Sequence, residues 1–239
     1  MDSLRIFENK QELATAVAEQ TIALLEIAIK KYGVGVWVLS GGTTPMLAYE
    51  IIAHEYKNEI DWKKIFVIIG DERIGQLDGP DNNWHDIEEV LLRHIPVQTI
   101  RPSNNLNPAD VAIEYESAID RLPKNSSNLP RLDVVWLGVG QDGHTLSLFP
   151  GHDSLKPTRH LVIPVTDSPK PPSDRISLSL RALTGVKTAL IIASGQDKKD
   201  AIVKARSGQQ LPIALATHVI TTHKGHVRWL LDKSSAPTD

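Results

Sequence analysis

The sequence predicts an α/β fold built on a doubly wound, mainly parallel β-sheet with helices on both faces. Helical patterns alternate with short β-rich segments along the chain, which is typical of this class. At 239 residues the chain has the length of one large α/β domain, so we expect a single domain over residues 1–239. Short, continuous apolar runs, as expected for strands buried on both faces, occur at Val36–Leu39, Ile65–Ile69, Leu132–Leu137, Leu161–Val165 and Thr188–Ile192.

The helices can be placed in order between these runs. Asn9, with Glu12 three residues later, forms a capping pattern that opens an amphipathic helix ending at Gly33. Further helices are predicted at Thr44–His54, Asn83–His94, Pro108–Arg121 and Asp197–Arg206.

Other segments interrupt this alternation. Arg175–Leu180 alternates polar and apolar residues, so we expect it where one face of a sheet is polar. Loops are expected at Lys124–Pro130, at Ser168–Ser173 and at 79–84, and Ser234–Asp239 is expected to be a frayed tail.

Composition excludes several classes of protein. The net charge of -3, without a run of Lys or Arg, argues against binding nucleic acid. The sequence has no cysteine, which excludes disulfides and thiol nucleophiles. It shows no signal-peptide pattern and no apolar stretch of roughly 18 residues that would suit a membrane span. We therefore expect a soluble cytoplasmic protein that does not associate with membranes. We expect it to be either a monomer or a small homo-oligomer, two states that the sequence does not distinguish.

The most informative segment, Gly138–Gly143 followed by His144, comes directly after an apolar run. It matches the G-x-G-x-x-G pattern of dinucleotide-binding proteins. However, Asp142 would place a carboxylate in the anion site, and Pro150 ends any helix after about a turn and a half. The segment is better interpreted as a loop presenting Asp142 and His144, a histidine able to move protons near neutral pH. A dehydrogenase stays an alternative, with Asp167 as the acidic residue that it would need.

Polar residues also follow three other predicted strands. The loop Ser40–Thr44 has glycines and hydroxyls suited to an anion, although it could be an ordinary turn capped by Thr43 or Thr44. Gly70–Arg73 suits substrate contact, and its alternative is a solvated turn with an internal ion pair. Arg175 and Lys198 could converge on a phosphate, although each alone is more often a surface charge.

The histidines near the end of the chain offer no convincing metal site. His218, His223 and His226 do not share one helix face, and no carboxylate or cysteine lies among them. We therefore do not expect a metal ion at these histidines.

The motifs, in their order, resemble the family of 6-phosphogluconolactonases, which shares its fold with glucosamine-6-phosphate deaminase. In the deaminases, the segment after the histidine continues into an apolar-Asn-Glu-Pro pattern, whereas Ser147–Gly151 here favours the lactonases. Leu146 and Asn82 depart from the family pattern, which often has Ala and Ser there. The resemblance is carried by Leu39–Pro45, Gly70–Arg73, Asp81–Asn83, Leu137–Thr145, Leu148–His152, Arg175–Ser177 and Trp229–Asp232.

The resemblance implies hydrolysis of 6-phospho-D-glucono-1,5-lactone to 6-phospho-D-gluconate in the oxidative branch of the pentose phosphate pathway. It implies that His144 activates water with the support of Asp142, while Arg73 stabilises the oxyanion or positions the ring. Asp71 would hold Arg73 or a sugar hydroxyl. The phosphate would be held by Ser40, Gly41, Gly42, Thr43, Thr44, Arg175 and Lys198. Neither a metal ion nor an organic cofactor would be needed, because a lactone is already an activated ester.

Two other functions share this fold. A deaminase-like isomerase would need a further carboxylate near His144. A non-enzymatic phosphosugar-sensing domain would normally carry a helix-turn-helix, whereas residues 1–35 show one long helix.

Overall fold

The computed structural model describes residues 2–75, 82–103 and 107–237. Their strands and helices are, in chain order, β1 (Asp2–Phe7), α1 (Lys10–Tyr32), β2 (Gly35–Leu39), α2 (Thr43–Glu55), β3 (Ile65–Ile69), β4 (Asp71–Arg73), α3 (Asn83–Ile87), β5 (Gln98–Thr99), α4 (Pro108–Ile119), β6 (Leu132–Gly138), β7 (Val162–Val165), β8 (Arg175–Leu178), β9 (Val186–Ala193), α5 (Lys199–Arg206), α6 (Pro212–Thr222) and β10 (His226–Asp232).

The predicted doubly wound α/β fold is confirmed. A central sheet of seven strands has the order β1-β10-β9-β6-β2-β3-β5, and every neighbouring pair is parallel. Strand β2 is buried along its whole length, as is β6 up to Gly138, so both faces of the sheet centre are covered. The chain leaves β2 towards β3 on one side and β6 towards β9 on the other, and this reversal opens a crevice at their carboxyl ends.

A second sheet of three antiparallel strands, β4-β8-β7, was not predicted. The expectation that Leu161–Val165 joins the parallel sheet was therefore wrong, because β7 pairs with β8 and exposes Pro164. The alternation of Arg175–Leu180 does mark a polar face, since Arg175 and Ser177 are two residues apart in β8 and therefore lie on the same face of the strand. Both side chains are buried, so this face is turned away from solvent.

Most helix ends agree with the sequence. Asn9 caps α1 by accepting the Glu12 amide at 2.9 Å, and Gly33 ends the helix with φ of 80°. Two predicted helices are modified: α3 changes into a π-helical segment, Glu88–Leu92, and α5 is preceded by a 3-10 turn, Gln196–Lys198. No helix within the described ranges is both long and apolar enough to cross a membrane.

The expectation that the tail Ser234–Asp239 is frayed was wrong for its described part. Residues 234–237 are not frayed, because Ser235 and Ala236 are buried and the Ser235 hydroxyl donates to the Ala193 carbonyl at 2.9 Å. Residues 238–239 and residues 79–81 of the predicted loop lie outside the described residues.

Candidate active site

One cleft of about 260 Å³ opens at the crevice between β2 and β6. It brings together ten of the eleven site residues predicted from the sequence, and Asp142 lies behind His144 without lining it. These ten residues are Ser40, Gly41, Gly42, Thr43, Thr44, Asp71, Arg73, His144, Arg175 and Lys198.

The loop after β2 presents the open N-terminus of α2 to this cleft. Gly42 is the N-cap residue, with φ of 97°, and no described side chain caps the first turn, so the alternative of a Thr43 or Thr44 cap was wrong. Tyr49 fixes the loop, because its hydroxyl accepts from the Ser40 amide and donates to the Ser40 carbonyl, both at 3.0 Å. Such uncapped amides, together with the helix dipole, favour an anion.

Close packing explains the glycine at position 41. A Cβ atom there would lie 2.1 Å from Oδ1 of Asn83, which also lines the cleft. Only glycine therefore lets the loop pass so close to the start of α3.

Lys198 reaches the cleft from the 3-10 turn after β9. Its Nζ lies 3.0 Å from Oδ2 of Asp197, and the same carboxylate oxygen accepts from Nε2 of Gln141 at 2.9 Å. The turn is fixed from the far side by Asp232, which accepts from the Ser194 hydroxyl at 2.7 Å and from the Gly195 amide at 3.3 Å. Lys199 begins α5 and does not line the cleft.

Arg175 also holds the loop 170–172 in place, a role that the sequence did not reveal. Its Nε donates to the Pro172 carbonyl at 3.0 Å, and Nη2 donates to the carbonyls of Lys170 and Pro171, each at 3.1 Å. The guanidinium also lies 5.7 Å from the ring centre of Phe149. Because Nη1 has no partner in the described part of the chain, its two N–H groups are the donors left for an anion.

His144 and Asp142 form a close pair. Nδ1 of His144 lies 2.5 Å from Oδ1 of Asp142, and the His144 ring packs 4.9 Å from that of Phe149. A Cβ at Gly140 would lie 1.9 Å from Nδ1, so the glycine makes room for this ring. Since an ionised carboxylate only accepts, Nδ1 donates and Nε2 is left as the basic nitrogen.

The surroundings of this pair favour a neutral imidazole. Burial lowers the pKa of His144 below its usual value, although Asp142 acts in the opposite direction. Burial alone would raise the pKa of Asp142, but the hydrogen bond and charge of His144 outweigh it, so this pKa is lowered. A neutral histidine beside an ionised carboxylate is the state that can accept a proton from water.

The segment Gly70–Arg73 is not the solvated turn considered as an alternative. The buried carboxylate of Asp71 accepts from the Ser147 hydroxyl at 2.6 Å. Glu72 is also buried, and accepts the amides of Arg73, Asn83 and Trp84 at 2.8, 2.9 and 2.8 Å. Burial raises the pKa of Glu72 to about 7, against the effect of these three amides. Glu72 thus ties β4 to the start of α3.

Sequence reasoning missed Lys170, whose Nζ lies 3.2 Å from Nδ1 of His144 and 3.5 Å from Oδ1 of Asp142. No motif surrounds Lys170, which lies in the predicted loop Ser168–Ser173, so only the fold could reveal it. His152, to which the sequence gave no role, anchors the same loop through Asp167, with 2.6 Å between Nε2 and Oδ1. Asp167 follows β7 in the small sheet, so it does not occupy the position that a dehydrogenase would need.

Among the residues in 2–75, 82–103 and 107–237, no three His, Asp or Glu side chains form a group that could hold a metal ion. His223 instead contacts the carbonyl of Val219, with 2.9 Å between Nδ1 and the oxygen.

Comparisons with known proteins agree with this architecture. A family model described as glucosamine-6-phosphate isomerases/6-phosphogluconolactonase matches residues 8–229. A probable 6-phosphogluconolactonase from Schizosaccharomyces pombe is 36% identical, over 98% of this chain and 95% of that protein. Probable 6-phosphogluconolactonase 2 from Oryza sativa subsp. indica is 30% identical, over 98% and 89%. The crystal structure of 6-phosphogluconolactonase from Leishmania guyanensis superimposes with a TM-score of 0.86 and 27% identity, covering 98% of this chain and 97% of that one.

Proposed function

Because the chain belongs to the glucosamine-6-phosphate isomerase/6-phosphogluconolactonase family, we propose that it hydrolyses 6-phospho-D-glucono-1,5-lactone to 6-phospho-D-gluconate in the cleft described above. Its activity is that of a sugar-lactone hydrolase of carbohydrate metabolism. One observation carries the assignment of the site: an open helix N-terminus and a lysine share a single cleft with His144, which is paired with Asp142 behind it.

The phosphate is held at the α2 end of the cleft. The first amides of α2, the hydroxyls of the Ser40–Thr44 loop, Lys198 and Nη1 of Arg175 supply the donors. Charge-assisted hydrogen bonds from cations to a phosphate are about twice as strong as neutral ones. Anchoring the phosphate orients the lactone carbonyl toward His144, which converts a random encounter with water into a positioned reaction.

The hydrolysis needs one base that later acts as an acid. Nε2 of His144 takes a proton as the water oxygen bonds to the lactone carbonyl carbon. Arg73 stabilises the oxyanion of the tetrahedral intermediate. When the bond between this carbon and the ring oxygen breaks, the imidazolium returns its proton to the ring oxygen, which becomes a hydroxyl group. Asp142 holds the tautomer of His144, and Asp71 holds Arg73 or a sugar hydroxyl.

The alternatives have less support. Ser147–Gly151 adds no carboxylate after His144 of the kind that a deaminase-like isomerase would need. A sensing domain would be expected to carry a helix-turn-helix, but residues 2–35 form β1, α1 and the start of β2.

The assignment is tested by pH-stat hydrolysis of the lactone with and without its 6-phosphate, after subtraction of spontaneous opening. We expect a strong preference for the phosphorylated lactone. His144→Ala should lower kcat by roughly 10²- to 10⁴-fold, the usual contribution of a positioned acid-base group. The control is His94→Ala, since His94 is an exposed histidine that contacts the Glu89 carbonyl. A His144→Ala variant with near-normal kcat would remove this residue from the mechanism.

A further inference from the structure

Lys170 places a positive charge directly beside the His144–Asp142 pair. Its Nζ is 3.2 Å from Nδ1 of His144, and 3.5 Å from Oδ1 of Asp142. Since Nδ1 already donates its hydrogen to Asp142, it offers no lone pair to the ammonium group. The contact between Lys170 and the ring therefore acts through charge. Lys170 is not among the residues that line the cleft, so we expect it to act on the substrate only through His144.

The loop that carries Lys170 is held in place by hydrogen bonds to its main-chain carbonyls and does not depend on the lysine side chain. Arg175 binds the carbonyls of residues 170, 171 and 172 through three N–H groups. The Ser168 hydroxyl also donates to the Lys170 carbonyl at 2.9 Å. At the start of the loop, Asp167 is bound to His152. A buried arginine and a histidine thus hold the backbone so that the lysine points at the catalytic pair.

We propose that Lys170 is a positioning residue that keeps His144 neutral before the reaction and drives the acquired proton onto the leaving ring oxygen. The inference rests on the proposed role of His144 as general base. A nearby cation destabilises the imidazolium. It weakens His144 as a base but strengthens it as the acid that must protonate the ring oxygen.

Several charged groups act on His144 at once. Lys170 and burial both lower the pKa of His144, while Asp142 and Asp71 raise it. Asp142 and Lys170 are the charged groups in direct contact with the ring. The charged side chains that line the cleft together with His144 are Asp71 and Arg73 on β4, Arg175 on β8 and Lys198 after β9.

The positive charge of Lys170 determines in which direction the pH profile should shift when the lysine is replaced. Activity should rise with pH as His144 loses its proton, which gives the acidic limb of the kcat/KM profile. Lys170→Met removes the charge but leaves the backbone bonds of the loop, so the pKa of His144 should rise. The acidic limb should move to higher pH by about half to one pH unit, because the half-exposed ammonium is partly screened by water.

The experiment compares wild type, Lys170→Met and Lys170→Arg, which keeps the charge. Lys156→Met is the matched control, since Lys156 is an exposed lysine paired with Asp153 at 2.8 Å. The kcat/KM profile is measured for each with 6-phosphogluconolactone. In parallel, the ring proton of His144 is titrated by NMR, assigned by its loss in His144→Gln. Thermal melts check that each variant is folded.

An upward shift of both the kinetic limb and the NMR titration in Lys170→Met, without one in Lys170→Arg or Lys156→Met, supports the inference. An unshifted titration in folded Lys170→Met, while His144→Ala is inactive, overturns it and leaves the proposed function intact. An active His144→Ala defeats the proposed function itself. Equal shifts in Lys170→Met and Lys170→Arg would show that charge is not the cause.

Discussion

At the scale of single residues, Lys198 and Lys199 are neighbours of equal charge, but only Lys198 lines the cleft. We expect Lys198→Ala to lower kcat/KM for 6-phosphogluconolactone roughly 10- to 100-fold, because a charge-assisted contact worth about 1.5–3 kcal/mol is lost. The same variant should affect the unphosphorylated lactone little. Lys199→Ala should change neither rate once salt screens long-range attraction. Equal losses for both lactones would show that Lys198 does not bind the phosphate.

Arg175 requires a different expectation from Lys198. Since its Nε and Nη2 hold the loop 170–172, Arg175→Ala should impair both lactones, with a further loss for the phosphorylated one. The sequence could indicate Arg175 because it opens an alternating segment. The sequence could not show that most of the N–H donors of Arg175 bind the preceding loop 170–172. These hydrogen bonds form only because the chain turns back between β7 and β8.

Lys170 is another site residue whose contacts could not be predicted from the local sequence. Asp142 and His144 lie within one motif at a strand end, so local sequence was sufficient to propose them. Lys170 is 26 residues from His144, in a loop rich in Pro and Ser, and reaches it only through the small antiparallel sheet. That sheet has short strands of four residues or fewer, which carry little periodic signal.

At the scale of elements, Glu72 makes the junction of β4 and α3 sensitive to pH. Its pKa is raised from 4.5 to about 7 in the folded protein, mainly by burial. Between these values the folded state holds a proton that the unfolded state has lost, so stability falls as pH rises. The contribution of Glu72 is thus fully present below pH 4.5 and is lost as pH rises through about 7.

The Glu72→Gln variant isolates this effect. Urea unfolding of wild type and variant should be compared from pH 4.5 to 7.5, because other titrating groups cancel in the difference. We expect the free energy of unfolding of the wild type to fall relative to that of Glu72→Gln across this range. A constant difference would mean that the pKa of Glu72 is not raised in the folded state.

The missed elements lie mainly towards the edge of the central sheet. β1 is mostly exposed and contains Asp2, Ser3 and Arg5, so it lacks the apolar run that identifies a buried strand. β10 begins with His226 and contains Arg228, and α6 has many β-branched residues. The central strands β2, β3 and β6 were predicted because burial on both faces leaves a continuous apolar sequence.

At the scale of the whole molecule, Asp232 connects the end of β10 to the turn that carries Lys198, at the end of the cleft that we propose binds the phosphate. Besides Ser194 and Gly195, it accepts from the Ser234 hydroxyl at 2.8 Å and the Ser235 amide at 2.9 Å. Asp232→Ala should leave these donors without their acceptor. We expect a loss of about 1–3 kcal/mol in the free energy of unfolding and a higher KM for the phosphorylated lactone.

The control for Asp232→Ala is Lys233→Ala. The Lys233 ammonium pairs only with exposed Glu8 among the described residues, 2.6 Å away, and such surface pairs contribute about 0–1 kcal/mol. Denaturant unfolding and steady-state kinetics of both variants make the comparison. An unchanged KM in Asp232→Ala would mean that the turn before Lys198 holds its position without this carboxylate.

Other properties of the whole molecule stay predictions. We propose one domain over the chain, since residues of both sheets share one hydrophobic core. The cytoplasmic location is an expectation from the sequence, and the expected oligomeric state, a monomer or a small homo-oligomer, is a prediction that the sequence does not narrow further. Size-exclusion chromatography with light scattering would measure the oligomeric state.

The pairing of β1 with β10 has a consequence for biosynthesis. Asp2 pairs with Val227, so β1 leaves the ribosome long before the strand with which it pairs in the described structure. At about 5–20 residues per second, β1 waits on the order of ten seconds or more before β10 is made. Its exposed, partly charged residues suit an unpaired edge that must avoid other nascent chains. Because Asp232 holds the turn before Lys198, the end of the cleft that we propose binds the phosphate is completed only after translation has passed β10.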